Sequence, residues 1–367
     1  MKFLKIASLV CILSMMLCMT AGAIEVSAGS AIAIDADSGR VLYEKNAHER
    51  RGMASTTKIM TAIIALENGN LNDIVTIDSR AVGIEGSSLY LRAGDKITLK
   101  NLLYGMLLRS GNDAATAVAL HFCPTVQEFA AKMTQKAKDL GLHDTQFKNP
   151  HGLYAKDHYT TAYDLAQITR YAFTLPGFGD MVCSRKYVID DDIESKVVTN
   201  NNKLLRFYDG ADGVKTGYTP ETGRTLVGSA TRNGMRVICV TLNDGNDWND
   251  HMAMFDYSFR NYEIRMLTKK GQGFGCAPVS CGTECDVPLL AASDVKAAVG
   301  IGEKIQVEVT TKEGLCAPVK DGQVVGKVVF KENGQKIGET NLISGSEMEK
   351  EKKPNIFWRI IKWIMRK

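Results

Sequence analysis

Histidine is scarce in this chain, six residues in 367, and none stands in an H-E-x-x-H arrangement or a comparable close pair. That lack removes the helical histidine pair of a zinc peptidase. No G-x-S-x-G elbow is present either, which argues against a Ser-His-Asp hydrolase. A large excess of one charge is also missing: the formal net charge is +4. Setting aside Lys2 and Lys5 leaves +2, and setting aside Lys352, Lys353, Arg359, Lys362, Arg366 and Lys367 leaves a body of −4. The basic character therefore belongs to the ends, and no nucleic-acid-binding surface is expected. Neither apolar end is long enough to span a bilayer comfortably.

What is present begins with an export signal. Lys2 and Lys5 precede an apolar stretch, Ile6 to Met19, and Ala21-Gly22-Ala23 is a small-residue cleavage site. The alternative is an N-terminal anchor that is retained. Nine cysteines occur, of which Cys11 and Cys18 would leave with the signal. The remaining seven are Cys123, Cys183, Cys239, Cys276, Cys281, Cys285 and Cys316, an odd number that leaves at least one free or paired between chains. None lies in a C-x-x-C pair, so disulfides or buried thiols are the expected states, with a metal site around Cys276, Cys281 and Cys285 the alternative.

Periodicity gives the body an α+β layout. Ser30–Asp35 and Arg40–Glu44 alternate like strands around Asp37-Ser38-Gly39, which predicts a hairpin. A helix with Ile59, Ile63 and Leu66 on one face is expected to begin near Ser55 and to stop at Asn68-Gly69. Thr98 is placed to cap a helix from Leu99 to Leu108, and another follows from Asp113 to His121. Further helices are expected over 127–140 and 162–173. Three antiparallel strands are expected over 213–219, 224–231 and 235–242, the last two joined by Asn233-Gly234. Trp248 to Tyr262 reads as a closing helix with Met252, Phe255 and Phe259 inward. The acidic run Asp190-Asp191-Asp192 with Glu194 reads as a solvated loop.

From about Glu263 helical periodicity gives way to short β runs, among them 304–310, 324–330 and 336–342. The chain is thus expected to hold a signal (1–23), a catalytic domain (24–262), a small β domain (263–345), and a linker with an amphipathic helix (346–367). In that last helix Phe357, Ile360, Ile361 and Ile364 share a face opposed by Arg359, Lys362 and Arg366, flanked by Trp358 and Trp363. The pattern fits a helix lying in the interface of an anionic membrane, or else one packed on its own protein.

The chemistry centres on Ser55-Thr56-Thr57-Lys58. Two residues three apart at a helix start share a face. A serine needs a neighbour to take its proton, and lysine can do so only when neutral, far below its free pKa of about 10.4. Two further groups follow: Ser110-Gly111-Asn112, in a tight turn between two expected helices, and Lys215-Thr216-Gly217, on an expected strand. Each is weak alone; in this order and context they resemble the motif trio of the penicillin-recognising serine enzymes. Ala54–Asn70, Arg109–Ala114, Asn149-Pro150-His151-Gly152-Leu153 and Gly213–Tyr218 look like the D-alanyl-D-alanine carboxypeptidases among the low-molecular-mass penicillin-binding proteins.

The resemblance implies a transpeptidase-like catalytic fold, an antiparallel sheet flanked by helices, and an exported enzyme on the outer face of the cytoplasmic membrane. It implies no cofactor or metal, a peptidoglycan stem peptide as substrate, and acylation by β-lactams. It also implies roles. Ser55 is the nucleophile, Lys58 its base, and Ser110 with Asn112 the proton relay. Lys215, Thr216 and Gly217 bind the substrate, and Tyr218, where some relatives have histidine, gives a backbone N–H to the oxyanion hole. An arginine that holds the substrate carboxylate in some relatives is not identifiable over Asp244–His251. A β-lactamase would share the trio, but no Glu-x-x-Leu-Asn deacylation motif lies between Asn112 and Lys215. A sensor or wall-binding protein acylated without turnover is the remaining alternative.

Overall fold

The computed structural model describes residues 24–190, 195–351 and 365. The expected signal (1–23), most of the acidic run (191–194) and nearly all of the expected C-terminal amphipathic helix lie outside the described residues. The described chain divides into two compact units. One gathers Val41–Arg232 and Arg236–Arg260 with the chain up to Ile34; the other gathers Asp35–Arg40, Asn233–Met235 and the chain from Asn261.

The first unit is built on a five-stranded sheet. Strands β1 (Ser30–Asp35) and β2 (Val41–Lys45) pair antiparallel, with a register shift at Ala33/Ile34. They are joined in the sheet by β3 (Ala211–Thr219), β4 (Gly223–Arg232) and β5 (Met235–Leu242), in the order β2-β1-β5-β4-β3. The central strand β5 is buried at every position but Arg236, so its Val237-Ile238-Cys239-Val240 run is covered on both faces. Asn233 and Gly234 both take positive φ, +50° and +79°, as a two-residue hairpin turn matched to strand twist requires. Strand β3 ends the sheet, so among the described residues one of its sides has no strand beside it. Such an edge can accept an extended peptide.

The longer helices of this unit are α1 (Lys58–Asn68), α2 (Leu99–Arg109), α3 (Asn112–Phe122), α4 (Val126–Asp139), α5 (Ala162–Ala172) and α6 (Asp247–Asn261). Thr98, Thr125 and Thr161 cap α2, α4 and α5 by accepting the N–H of the residue three ahead. Three expectations need correction. Ser55 does not lie on an α-helix: Ala54–Thr57 is a 3₁₀ turn, and the α-helix starts at Lys58. Helix α1 is not amphipathic, since every residue from Lys58 to Ala65 is buried; it runs through the interior, where no face needs to be polar. Helix α6 buries His251, Met254, Phe255 and Ser258, and leaves Met252 and Phe259 partly exposed. Its inward face is fixed by polar contacts that hydrophobic spacing ignores. Asp250 accepts the N–H groups of Ser27 (2.6 Å) and Ala28 (3.2 Å), and His251 Nε2 lies 3.2 Å from Thr241 Oγ1.

The second unit is all β. A ladder of β6 (Tyr262–Thr268) with β9 (Val295–Gly300) accompanies a five-stranded sheet of β7 (Gly273–Pro278), β8 (Asp286–Ala291), β10 (Ile305–Thr311), β11 (Val324–Glu332) and β12 (Gln335–Ser344). Alternate residues such as Val328 and Phe330, or Val287 and Leu289, form its core. All seven cysteines beyond residue 23 are unpaired. Cys123 and Cys239 are buried; Cys183, Cys276, Cys281, Cys285 and Cys316 are exposed. Among the described residues no group of three or more His, Cys, Asp or Glu is arranged to hold a metal.

Candidate active site

A 3₁₀ turn has three residues per turn, so residues three apart stand directly above one another. The Ala54–Thr57 turn therefore stacks Lys58 on Ser55, and Nζ lies 3.0 Å from Ser55 Oγ. Two hydroxyls tie the turn down: Thr56 donates to Met53 O (2.6 Å) and Thr57 to Ala54 O (2.7 Å). His158 Nε2 sits 2.8 Å from Thr57 Oγ1, and its Nδ1 accepts the Lys148 N–H. Burial pulls the His158 pKa down to about 4, so at neutral pH it is an uncharged strut whose Nε2–H donates to Thr57.

Lys58 is fully buried. Burial drives its pKa well below the ordinary lysine value, the positive charge of Lys215 lowers it further, and Asp113 opposes both. Besides Ser55, Nζ faces two acceptors, Asn112 Oδ1 at 2.7 Å and the His151 carbonyl at 2.5 Å. A neutral amine has two N–H bonds and one lone pair. Both N–H bonds are used by these carbonyl oxygens, which leaves the lone pair to Ser55. The hydrogen bonds thus select the orientation in which a neutral lysine accepts the serine proton.

Ser110 and Asn112 come from the junction of α2 and α3. Ser110 takes the left-handed conformation, φ +65°, and Asn112 is the first residue of α3. A non-glycine residue held there is strained, and such positions cluster at functional sites. Lys215 on β3, also buried, lies 3.1 Å from Ser110 Oγ and donates to Thr216 O at 2.8 Å. Burial lowers the Lys215 pKa to about 7. Asn112 thus partners Lys58, and Ser110 partners Lys215. Asn112 Nδ2 also donates to Glu85 O, and its N–H to Ser87 O at 2.7 Å. The Asp113 carboxylate accepts from Ser88 Oγ and from the Leu89 and Leu91 N–H groups. This holds the segment around Ser87 at the cleft.

Gly217 brings β3 against the nucleophile: a Cβ there would fall 2.9 Å from Ser55 N and 2.4 Å from Thr225 Oγ1. Beside it, Tyr218 points its ring to solvent, 65% exposed. Ser55, Ser110, Thr216, Gly217 and Tyr218 line one open cleft of about 570 Å³. Sequence reasoning missed other members of its wall. Asn201, Lys203, Arg224 and Trp248 line it too, and Arg224 pairs with Asp247 at 3.3 Å. No spacing rule links Arg224 to Ser55; the pairing of Arg224 opposite Tyr218 in the β3–β4 ladder brings it there.

The sequence profile of the D-alanyl-D-alanine carboxypeptidase family matches residues 5–246, and that of the penicillin-binding protein 5 C-terminal domain matches residues 262–350. Among similar proteins is D-alanyl-D-alanine carboxypeptidase DacF of Bacillus subtilis, 34% identical over 335 residues, covering 88% of this chain and 86% of that one. DacC of Escherichia coli is 33% identical over 371 residues, covering 95% of this chain and 90% of that one. Among solved structures, penicillin-binding protein 5 from Haemophilus influenzae superposes with a TM-score of 0.78 at 28% identity, covering 89% of this chain and 99% of that one.

Proposed function

This chain belongs to the D-alanyl-D-alanine carboxypeptidase family of low-molecular-mass penicillin-binding proteins, and from that membership we propose how its residues divide the work. The protein is a serine-type DD-carboxypeptidase that acts on peptidoglycan stem peptides and is acylated by β-lactams. Lys58, neutral, takes the Ser55 proton as Oγ attacks the carbonyl between the two D-alanines. The observation that carries this is the buried amine 3.0 Å from Ser55 Oγ with both N–H bonds already committed. The backbone N–H groups of Ser55 and Tyr218 receive the oxyanion. Lys215 and Thr216 hold the terminal carboxylate, and Gly217 allows the peptide to lie close. Ser110 passes a proton to the departing D-alanine, a role supported by its contact with Lys215. Asn112 serves this step by orienting Lys58. The covalent acyl-enzyme is then hydrolysed by water.

The deciding measurement is release of D-alanine from a peptide ending in D-Ala-D-Ala, run beside acylation by a labelled penicillin. Release together with acylation is the expected result. Acylation without release would point to a sensor, and rapid penicillin hydrolysis to a β-lactamase.

The pH profile tests the lysine roles. Activity should rise with pH as Lys58 loses its proton, and fall again as Lys215 loses its own. In the free enzyme that second step lies near pH 7, so kcat/KM should decline on the alkaline side of neutrality. A bound carboxylate favours charged Lys215 and raises its pKa. The alkaline limb of kcat should therefore lie at higher pH than that of kcat/KM; coincident limbs would remove Lys215 from carboxylate binding.

Export and membrane attachment complete the proposal. They rest on the apolar N-terminal stretch with its Ala21-Gly22-Ala23 site and on the basic amphipathic pattern after Lys352. No helix among the described residues is long and apolar enough to cross a membrane. A chain ending at Glu351 is expected to leave anionic vesicles that the full chain binds, and salt should weaken full-chain binding, since each surface lysine or arginine contributes about 1 kcal/mol. Equal vesicle binding by both chains would exclude the tail as anchor.

A further inference from the structure

Next to the catalytic cleft lies a second recess of about 240 Å³, bounded by Ala54, Tyr154, Lys156, Asp157 and Glu221. Its volume is below the roughly 300–1,000 Å³ of a site for a whole small ligand and suits a single side arm. We propose that this recess binds a zwitterionic side arm, an ammonium and a carboxylate on one carbon, carried by the third residue of the stem peptide. The proposal rests on the carboxypeptidase reading above.

Direction along β3 places that residue. The terminal carboxylate lies at Lys215 and Thr216, and the attacked carbonyl at Ser55 and Tyr218. Passing from Lys215 to Tyr218 thus moves from the leaving D-alanine into the acyl half of the substrate, which runs antiparallel to the strand. Each further residue advances about 3.3 Å, past Thr219 and toward the turn that ends at Thr222. The recess opens there. One wall is Ala54, the neighbour of Ser55, and the other is Glu221 beyond the end of the strand.

Charge then selects the arm. The recess offers two carboxylates, Asp157 and Glu221, and one ammonium, Lys156, all exposed. Among the described residues none of the three is engaged in an ion pair. An arm ending in an ammonium alone would leave Lys156 without a partner and facing a like charge. An arm ending in both groups can set its ammonium toward Asp157 and Glu221 and its carboxylate toward Lys156. The exposed ring of Tyr154 at the rim gives the methylenes of the arm an apolar surface. Meso-diaminopimelate has such an arm; L-lysine has only the amine.

The test uses the mature chain and three pentapeptides ending in D-Ala-D-Ala. Their third residues are meso-diaminopimelate, diaminopimelate amidated on its side-arm carboxylate, and L-lysine. Acylation by a penicillin, which carries no such arm, gauges the chemistry of every variant. The expected kcat/KM is highest for meso-diaminopimelate, by roughly tenfold over the other two, the scale of one charge-assisted contact. Most of the difference should appear in KM. Lys156→Gln should erase the advantage over the amidated peptide. Asp157→Asn, which still suits the left-handed φ of +65° at that position, and Glu221→Gln should lower kcat/KM for all three peptides, each of which carries the arm amine, and leave penicillin acylation unchanged. Equal kcat/KM for the three peptides would overturn the inference alone. So would variants that reduce all three peptides and penicillin acylation by the same factor. Failure to release D-alanine from any peptide would overturn the carboxypeptidase reading and this inference with it.

Discussion

Lys58→Arg is expected to slow acylation by a β-lactam about a hundredfold to ten-thousandfold, the full range of a general base, although it keeps the positive charge. Ser55→Ala, which removes the atom that is acylated, should form no acyl-enzyme at all and sets the floor of the measurement. Arginine cannot be deprotonated in a protein, so the variant has no lone pair to receive the serine proton. Lysine serves here because burial and Lys215 push its pKa down and so favour the neutral form, while Asn112 Oδ1 and the His151 carbonyl fix its direction. Lys58→Met, which has no charge but also no lone pair of comparable basicity, should show a similar loss. Together the two variants separate basicity from charge. The measurement is the time course of acyl-enzyme formation by intact-protein mass spectrometry, with thermal melting to confirm folding. A folded Lys58→Arg protein that is acylated within tenfold of the wild-type rate would remove the lysine from the role of base.

The pairing of Ser55 with Lys58 was legible in the sequence because it depends only on a spacing of three. So were the turn carrying Ser110 and Asn112 and the strand carrying Lys215, since each sits at a boundary marked by caps, glycine or alternation. The partners of these residues were not legible. Lys58 is held by the backbone carbonyl of His151, and a carbonyl leaves no mark in a residue pattern. The sequence grouped Asn112 with Ser110, two residues away; the fold gives Asn112 to Lys58 and Ser110 to Lys215. Helix α1 shows the same limit from the side of packing. Ile59, Ile63 and Leu66 suggested one buried face, yet Lys58 and Thr61 are as buried as the isoleucines. Thr61 donates to Pro150 O at 2.6 Å, so the polar groups that broke the apolar pattern are those that join the helix to the loop behind the nucleophile.

That loop makes Gly152 the most consequential position outside the motif trio, and Gly152→Ala should reduce acylation by at least about a hundredfold. Gly152 takes φ +88°, which an L side chain rarely adopts, and an added Cβ would stand 1.9 Å from Ala54 O and 2.9 Å from Thr57 Oγ1. Neither neighbour can yield cheaply. Ala54 O is the acceptor of the Thr57 hydroxyl that ties the turn, and Ala54 itself is already at φ +46°. The methyl group must therefore push the Ala54–Thr57 turn toward the cleft or force the Asn149–Leu153 loop away from it. The first displaces Ser55 from Gly217 and Tyr218; the second withdraws the His151 carbonyl from Lys58. A shift of about 1 Å in a reacting group can cost a hundredfold in rate, so either relaxation is sufficient. The two differ in their pH signature. If the loop moves, Lys58 loses an acceptor that orients its lone pair, and the acid limb of the acylation profile should shift along with the rate. If the turn moves, the rate should fall with the limb in place. Thermal melting alongside the acylation assay separates both from unfolding, and a Gly152→Ala protein that melts like the wild type and is acylated at its rate would show that the loop does not hold the nucleophile.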